Sequence, residues 1–397
     1  MLSATVGAAT SETDTSGARF AAPGFGESTG VGFSTSVTGG TLGRWALQAS
    51  QPLYNPERRA QQQQLRLSAD VADSAWQADQ QTLALRTAER YFDVALAEES
   101  LRVLTSQQAA VQRAADEAQD RFKLGSVPIT DTQEARARLA AVRAQVLAAQ
   151  SDLELKRGLL ADSTGLAPAQ LDAKLPLASA VAGAPRPLDA WRSDAEAGNP
   201  GLRMQQLAAE VARQDAAKYT LLAAPTVDLV AQASRERLSG SGDYGPAGNT
   251  GVNQMIGIQV SIPLFTGGYR SAKEAEALRL ADKAQAEVDR ARQQLAQQVR
   301  AAWVGLSVGA ERARALDAAL KAAEARLAAT QLGHDVGDRT TLDLLNAEND
   351  AASARLALAQ ARVSVLLDRL RLDALAGRLD EGRLRAADAE LAPAAGG

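Results

Sequence analysis

The sequence contains no cysteine and only one histidine among its 397 residues. Without cysteine, this chain can form no disulfide, no thiolate metal site and no cysteine nucleophile, and it offers no N-terminal cysteine for lipidation. A single histidine without partners gives no basis for a Ser–His–Asp triad or a zinc site. We therefore expect no enzyme activity, no metal site and no cofactor.

Long apolar runs and an excess of positive charge are also absent. No run of about 18 apolar residues occurs, so no transmembrane helix is predicted, and no secretory signal opens the chain. The 43 basic and 47 acidic residues give a net charge of −4, which provides no basic surface for nucleic acid. Aromatic residues make up only 4%, and the abundance of Ala, Leu, Gln, Arg and Glu favours long packed helices.

The chain contains an internal repeat. Residues 257–280 (GIQVSIPLFTGGYRSAKEAEALRL) run from an alternating strand through a Pro-Leu-aromatic step into a long helix, and residues 47–67 have the same arrangement. Pro52 aligns with Pro263 without a gap, and further along the helices Gly125 aligns with Gly337 after a slip of one residue. We conclude that the chain is two copies of one unit.

The first repeat is predicted to occupy residues 1–195. Its strands have apolar residues at every second position, and its helices have them at steps of three and four. The predicted elements are strands 2–10 and 43–54, a Gly/Ser/Thr-rich loop over 11–40, helices 55–121 and 130–160, and an irregular connector over 163–195. The first helix would be roughly 100 Å long, which suits a rod or a tunnel wall better than a globular core.

The second repeat is predicted to occupy residues 196–377, followed by a flexible tail over 378–397. Its predicted elements are helix 201–222, strands 225–236 and 254–265, and helices 270–332 and 341–376. Helix 201–222 precedes the first strand of this copy, whereas nothing precedes strand 2–10. We therefore expect that a matching helix and a signal peptide are missing from the front of the chain, and that an upstream reading frame encodes them.

The predicted strands have one apolar and one polar face. Within a membrane such strands must close into a barrel, because lipid offers no partners for open backbone groups. Four strands cannot enclose a lumen, but three chains would supply twelve. An alternative is a soluble periplasmic coiled-coil adaptor or scaffold without a pore. An adaptor would not need two loop-linked strand pairs with an apolar outer face.

Three features resemble the TolC-like outer-membrane efflux proteins: the duplicated strand–helix junctions, AERYFDVAL in the first long helix, and residues 336–379, beginning VGDRTTLDLLNAEND. This resemblance implies an α+β membrane channel that trimerises into a 12-stranded β-barrel on an α-helical barrel. It also implies a position in the outer membrane reaching into the periplasm. The expected partners are a periplasmic adaptor and an inner-membrane ABC or proton-driven pump, for drug efflux or type I secretion.

The resemblance further implies a periplasmic gate at the helix turns. The matching residues are Arg339, Asp343, Asn346 and His334 in the second copy and Thr130 and Asp131 in the first. Asn346 replaces an expected acid, so any cation ring should be weak. Helix capping is an alternative role, because Thr340 and Asp343 fit a capping box, as do Thr130 and Gln133.

Other positions carry paired interpretations. His334 aligns with Phe122 and would make opening pH-dependent, or it is an ordinary residue at a helix end. Gly125, Val336 and Gly337 lie at tips that the resemblance assigns to adaptor docking, although both glycines also suit C-caps. The strand–helix junctions are assigned to Pro52, Pro263, Gly267 and Gly268. The aromatic residues near the strand ends, Trp45, Tyr54, Phe265 and Tyr269, fit either an aromatic belt or ordinary packing.

Overall fold

The computed structural model describes residues 2–20, 31–167, 173–178, 186–221, 224–242 and 245–391. These residues form one four-stranded sheet and seven helices. The elements are β1 (Leu2–Phe20), β2 (Val31–Tyr54), α1 (Pro56–Lys123), α2 (Ile129–Thr164), α3 (Leu188–Gly198), α4 (Pro200–Leu221), β3 (Thr226–Gly242), β4 (Gly245–Ser261), α5 (Tyr269–Asp335), α6 (Thr341–Leu375) and α7 (Glu381–Asp388). No described helix is both long enough and apolar enough to cross a bilayer.

Internal contacts divide the chain into two units that cut across the two repeats. The strand unit consists of residues 1–67 and 210–282, and the helical unit consists of residues 68–209 and 283–397. Each unit therefore contains equivalent parts of both copies. The sequence repeat describes how the chain is duplicated, while the units describe which parts pack together.

The sheet of the strand unit is an antiparallel meander in the order β1-β2-β3-β4. Within the described residues, β1 pairs only with β2 and β4 pairs only with β3, so both outer strands leave one edge unpaired. The register places Val6, Trp45, Arg235 and Val252 in one row across all four strands. An open sheet of this kind has backbone donors and acceptors available at both sides.

The register also separates the side chains into two faces. The apolar face carries Ala4, Val6, Trp45, Leu47, Ala49, Leu229, Ala231, Ala233, Val252, Ile256, Ile258 and Val260. The polar face carries Ser3, Thr5, Gln48, Ser50, Gln232, Ser234, Asn253 and Gln259. Exceptions include Gln51, Gln254, Arg235 and Arg237 on the apolar face and Ala46, Val230, Leu238 and Met255 on the polar face. Most of the large apolar side chains on the first face are exposed in the single chain.

The strands are longer than the sequence predicted. Residues 11–20 and 31–40, expected to be loop, pair with each other as extensions of β1 and β2, and β3 and β4 extend to Gly242 and from Gly245. Antiparallel pairing satisfies backbone groups whatever the side chains are, and threonine favours strands. Residues 21–30 lie outside the described part of the chain. In the other direction, β4 ends at Ser261, two residues before Pro263, because proline has no N–H to donate.

The helical unit is held together by buried alanine, valine and leucine and by arginines at heptad steps. One buried cluster joins α1 and α2 to Leu345 of α6, and another joins α3 and α4 to α5 and α6. Along the antiparallel pairs, Arg143 and Arg157 of α2 donate to Gln112 and Glu98 of α1. In the second copy, Arg355 and Arg362 of α6 donate to Glu324 and Asp317 of α5.

The expected flexible tail is wrong for residues 381–391. Asp380 caps α7 by accepting a 2.8 Å bond from the Arg383 amide, and Ala387 and Leu391 are buried near Leu370. Leu384 and Ala387 lie three residues apart on one face of α7 and Leu391 follows the helix, a pattern obscured by the charged residues around them. Residues 392–397 lie outside the described ranges. The connector over 163–195 is also less irregular than expected, because it contains the start of α3.

Candidate functional site

The turn between α1 and α2 is closed by backbone bonds around a glycine. Gly125 has a φ of 73°, which a residue with a Cβ adopts only with strain. Its N–H donates to the Phe122 carbonyl at 2.9 Å, and the Ser126 N–H donates to the Arg121 carbonyl at 2.9 Å. These bonds satisfy carbonyls that the end of a helix would otherwise leave without partners.

The turn between α5 and α6 repeats this geometry at the aligned positions. Gly337 has a φ of 83°, and its N–H donates to the His334 carbonyl at 3.0 Å. The Asp338 N–H donates to the Gly333 carbonyl at 2.8 Å. The duplicated sequence has therefore preserved the backbone of the turn.

The starts of the two following helices differ. Thr340 and Asp343 form the predicted capping box: the Asp343 N–H donates to Thr340 Oγ1 at 3.1 Å and the Thr340 N–H donates to Asp343 Oδ2 at 3.1 Å. The capping box predicted for Thr130 and Gln133 is wrong. Helix α2 begins one residue earlier, its N-cap is Pro128, and no side chain caps it. Proline has its φ already fixed for such an entry but provides no side-chain acceptor.

Asp343 is held in its ionised form by its surroundings. The backbone bond from Thr340 and then the bond from the Thr340 hydroxyl lower the pKa of the Asp343 carboxyl, and the positive charges of Arg339 and Arg326 lower it further. The hydroxyl donates to Asp343 Oδ2 at 2.8 Å. A carboxylate that accepts several hydrogen bonds resists protonation.

His334 lies inside the second turn. Its side chain is nearly inaccessible, with 3% of the residue surface exposed, whereas the aligned Phe122 is 36% exposed. The imidazole Nε2 lies 3.4 Å from Thr341 Oγ1, and Nδ1 lies 3.9 Å from the Asp335 carboxylate. A helix-end histidine and a pH-sensitive histidine would both occupy this position. Both interpretations of His334 therefore stay predictions.

Arg339 packs over the helix end. A Cβ placed on Gly333 would come within 2.7 Å of Arg339 Cγ, so the aliphatic part of the arginine occupies the space that a larger residue would fill. Among the described residues, its guanidinium makes no ion pair within one chain. The aligned position in the first copy is Val127, so the first turn has no counterpart of this arginine.

The remaining predicted gate residues are separated from this group. Thr130 Oγ1 lies 3.2 Å from Asp131 Oδ1 at the start of α2. Asn346 accepts a 3.0 Å bond from Arg138 Nη2, which links α6 to α2. In the described part of a single chain, no hydrogen bond or ion pair connects Asp131 with Arg339 or Asp343.

Sequence reasoning missed two contact residues, Arg138 and Thr341. Arg138 lies seven residues after Asp131 and therefore on nearly the same helix face, which could have drawn attention to it. Thr341 follows directly on the predicted cap Thr340, and no signal in the sequence distinguished it.

The tips of both turns expose apolar side chains. Leu124 is 81% exposed and Val336 is 74% exposed. No atom lies within 4 Å of a Cβ built on Gly125 or Gly337, so at both positions the backbone conformation alone demands glycine. The C-cap interpretation of these glycines is therefore correct, and it is compatible with a docking role for the exposed neighbours.

The strand–helix junctions lie in the strand unit. Pro52 pairs with Asp228 and is followed by a register shift before Tyr54. In the second copy, Gly267 and Gly268 have φ values of 58° and 81° directly before α5 begins. At the start of α1, the Arg58 N–H donates a hydrogen bond to Asn55 Oδ1 at 2.9 Å. Of the four aromatic residues expected near the strand ends, Tyr54, Phe265 and Tyr269 lie near these junctions, whereas Trp45 lies inside β2. All four are exposed in the single chain, so they are not ordinary core residues of one copy.

The outer membrane efflux protein family matches residues 2–166 and 191–378. This chain belongs to that family. It is 31% identical to the outer membrane protein TolC of Escherichia coli over 327 residues, which cover 80% of this chain and 66% of the relative. It is 29% identical to the alkaline protease secretion protein AprF of Pseudomonas aeruginosa over 343 residues, 85% of this chain and 70% of the relative. The chain thus spans just under two thirds of TolC.

Solved structures share the fold. The outer membrane protein VceC of Vibrio cholerae has a TM-score of 0.67 at 19% identity and covers 95% of this chain and 88% of its own. The CmeC outer membrane channel of Campylobacter jejuni has a TM-score of 0.71 at 15% identity, covering 98% and 81%. The predicted family and the predicted α+β fold class are therefore confirmed, and the chain is an outer-membrane protein. The comparisons do not support the adaptor alternative, since the relatives are named as outer membrane and secretion proteins.

Proposed function

We propose that three copies of this chain form a passive exit channel, with a 12-stranded barrel in the outer membrane and a helical tunnel reaching into the periplasm. The division of the sheet into two faces is the observation that carries this proposal. Exposed isoleucine, valine and leucine on one face suit lipid, while serine, threonine and glutamine on the other suit a water-filled lumen.

The open sheet edges support closure by copies of the same chain. Strands β1 and β4 run in opposite directions, so the free edge of β1 in one copy can pair antiparallel with the free edge of β4 in the next. Lipid cannot satisfy those backbone groups, so a membrane-embedded sheet requires such pairing. Three four-stranded sheets joined in this way give one ring of twelve strands, which encloses a lumen, whereas the four strands of a single chain do not.

A gate at the helix turns is the second part of the proposal. Three copies of Asp343, with Asp131 and Thr130, would meet around the axis, with Arg339 near the carboxylates and His334 beneath them. Like charges brought together by closure repel, and arginine or bound cations offset that repulsion. Asn346 is uncharged and its side-chain oxygen already accepts a hydrogen bond from Arg138, so it would add little to a cation ring.

The tips are proposed to contact a periplasmic adaptor. Leu124 and Val336 flank the two cap glycines and expose most of their surface, which suits a partner with small apolar pockets. The adaptor would connect the channel to an inner-membrane ABC or proton-driven pump, which supplies the energy. The cargo would be small molecules or secreted proteins, since one relative is named for efflux and another for protease secretion.

Single-channel recording in planar bilayers tests the channel and its gate. The parent protein is expected to insert and conduct poorly, because the turns close the mouth. Arg339→Ala is expected to raise the conductance, because the carboxylates lose their neighbouring positive charge. Lys123→Ala, in an exposed pair at the first turn, is the matched control and should leave conductance unchanged. A parent protein that stays in the aqueous phase as a monomer would contradict the proposal.

A further inference from the structure

The apolar face of the sheet ends in a pair of arginines. Arg235 and Arg237 alternate along β3 on the same face as Ala231 and Ala233. Arg235 lies in one row with Trp45 and Val252, and Arg237 lies in the next row between Gly43 and Thr250. Positive charge therefore begins at the point where the run of apolar residues on β3 stops.

The two arginines have no partner of opposite charge on their own face. Among the described side chains of the four strands, this face carries no aspartate or glutamate, while Glu236 and Arg44 face the other way. Both arginines are exposed, and neither makes an ion pair or a side-chain hydrogen bond within the described chain. The row neighbours of Arg237 are the small Gly43 and the hydroxylated Thr250, which leave room around its guanidinium group, while Arg235 lies between Trp45 and Val252.

The position along the strand matches the edge of a membrane. Val227 and Arg235 are eight residues apart, which is about 27 Å along a strand. At a tilt of about 40° this is roughly 20 Å along the membrane normal, close to the apolar band of a membrane barrel at about 25 Å. Trp45 marks the same level as Arg235, and Tyr54, paired with Val227, marks the other end. Amphipathic aromatic residues prefer the two membrane interfaces.

We propose that Arg235 and Arg237 bind the phosphate groups of an anionic glycolipid headgroup in the leaflet that lies away from the strand–helix junctions. A guanidinium has planar paired donors that match phosphate oxygens, and such bonds are stronger at a lipid boundary than in bulk water. Two arginines on alternate positions lie about 7 Å apart, so they can hold two phosphates of one headgroup or share one. This inference rests on the proposed placement of the sheet in a membrane.

The test compares lipid binding by the full chain and its variants. The protein is reconstituted into phosphatidylcholine vesicles with and without bisphosphorylated lipid A, and retained lipid is measured by native mass spectrometry and titration. We expect the parent to retain lipid A and the double variant R235Q/R237Q to bind it about 30-fold more weakly, since each arginine contributes about fivefold. R44Q, one row away on the opposite face, is the matched control and should bind like the parent.

Several outcomes would overturn the proposal. Equal binding by the parent and R235Q/R237Q would exclude these arginines, and equal loss in R44Q would show a non-specific charge effect. Displacement of lipid A by inorganic phosphate would show a site for free phosphate instead of a headgroup. Conductance of the same vesicles reports separately on the channel. A variant that conducts like the parent but loses lipid A supports the site, whereas no rise in conductance on Arg339→Ala challenges the proposed function instead.

Discussion

The turn between α1 and α2 and the turn between α5 and α6 place a glycine, Gly125 or Gly337, at the same point and close the helix with the same two kinds of backbone bond. Their side chains have diverged. The first turn has an uncapped helix start at Pro128 and a partly exposed Phe122, while the second has the Thr340–Asp343 capping box and a buried His334.

This difference shows which part of the unit duplication preserved. Backbone closure requires a residue at positive φ and little else, so both copies retain it. The side chains are not needed for closure, and those of the second turn form two polar pairs, Thr340 with Asp343 and His334 with Thr341. The first turn therefore serves as an internal control for the second.

Replacing the turn glycines should have the largest effect, and it should be the same in both turns. Gly125→Ala and Gly337→Ala each force a Cβ into the left-handed region, at a cost of about 1–2 kcal/mol. Since nothing lies near the added carbon, strain alone acts. Hydrogen exchange of the turn amides should accelerate to a similar degree in both variants.

Gly158→Ala is the control for that experiment, because Gly158 lies inside α2 with open space around it and gains helix propensity on substitution. Its amides should exchange no faster than those of the parent. A strong effect at Gly337 with none at Gly125 would mean that the two turns do not share a backbone mechanism.

Removing the cap should separate the two turns. Thr340→Ala removes the acceptor for the Asp343 amide, at a cost of about 1 kcal/mol to the start of α6. Thr130→Ala removes no cap, because none exists at α2. Exchange at residues 341–345 should therefore accelerate in the first variant, while exchange at 130–134 stays unchanged in the second. Equal effects would contradict the assigned difference.

Restoring an acid at position 346 tests the gate charge. Asn346→Asp should strengthen the bond with Arg138 and add a carboxylate near the proposed mouth. Conductance of this variant should be more sensitive to divalent cations than that of the parent, because carboxylates are their preferred ligands. Asn349→Asp, three residues on and bonded to Gln107, is the control. No gain in cation sensitivity at position 346 would place the residue away from the pore axis.

The smallest expected effect is the pH dependence of the second turn. The pKa of Asp343 is lower in the folded than in the unfolded chain. Its contribution to the stability of the helix start is therefore fully present above the unfolded pKa of about 3.9, and it is lost as the pH falls through the folded pKa. Protection of the first turn of α6 should therefore be flat near neutral pH and decline only in acid. A decline already between pH 5 and 8 would implicate His334, and its absence in His334→Phe would confirm that assignment.

The sequence predicted the long helices and the repeat because both depend on strong periodic signals. It placed α1 and α5 within three residues at each end, since glycine and proline punctuate them clearly. It missed the long strand ends over 11–20 and 31–40, because Ser, Gly and Thr also compose loops and only the pairing of these two segments with each other distinguishes strand from loop.

The site was predicted less well for a similar reason. Capping at Thr340 is local and was correct, while the bond from Arg138 to Asn346 joins residues far apart in the chain and had no local signal. Proline at 128 displaced the helix start by one residue and so removed the cap expected at Thr130.

Closure between chains is the central claim, and cysteine cross-linking tests it most directly because the chain has no cysteine of its own. Within one copy, Thr5 and Asn253 lie in one row on β1 and β4, three strand spacings or about 14 Å apart, beyond the roughly 7 Å that a disulfide tolerates. Thr5→Cys is combined with cysteine in turn at 251, 253 and 255, to allow for register. We predict a ladder ending at a covalent trimer for at least one pair. Only monomer for every pair in membranes, or a ladder beyond three, would contradict the account.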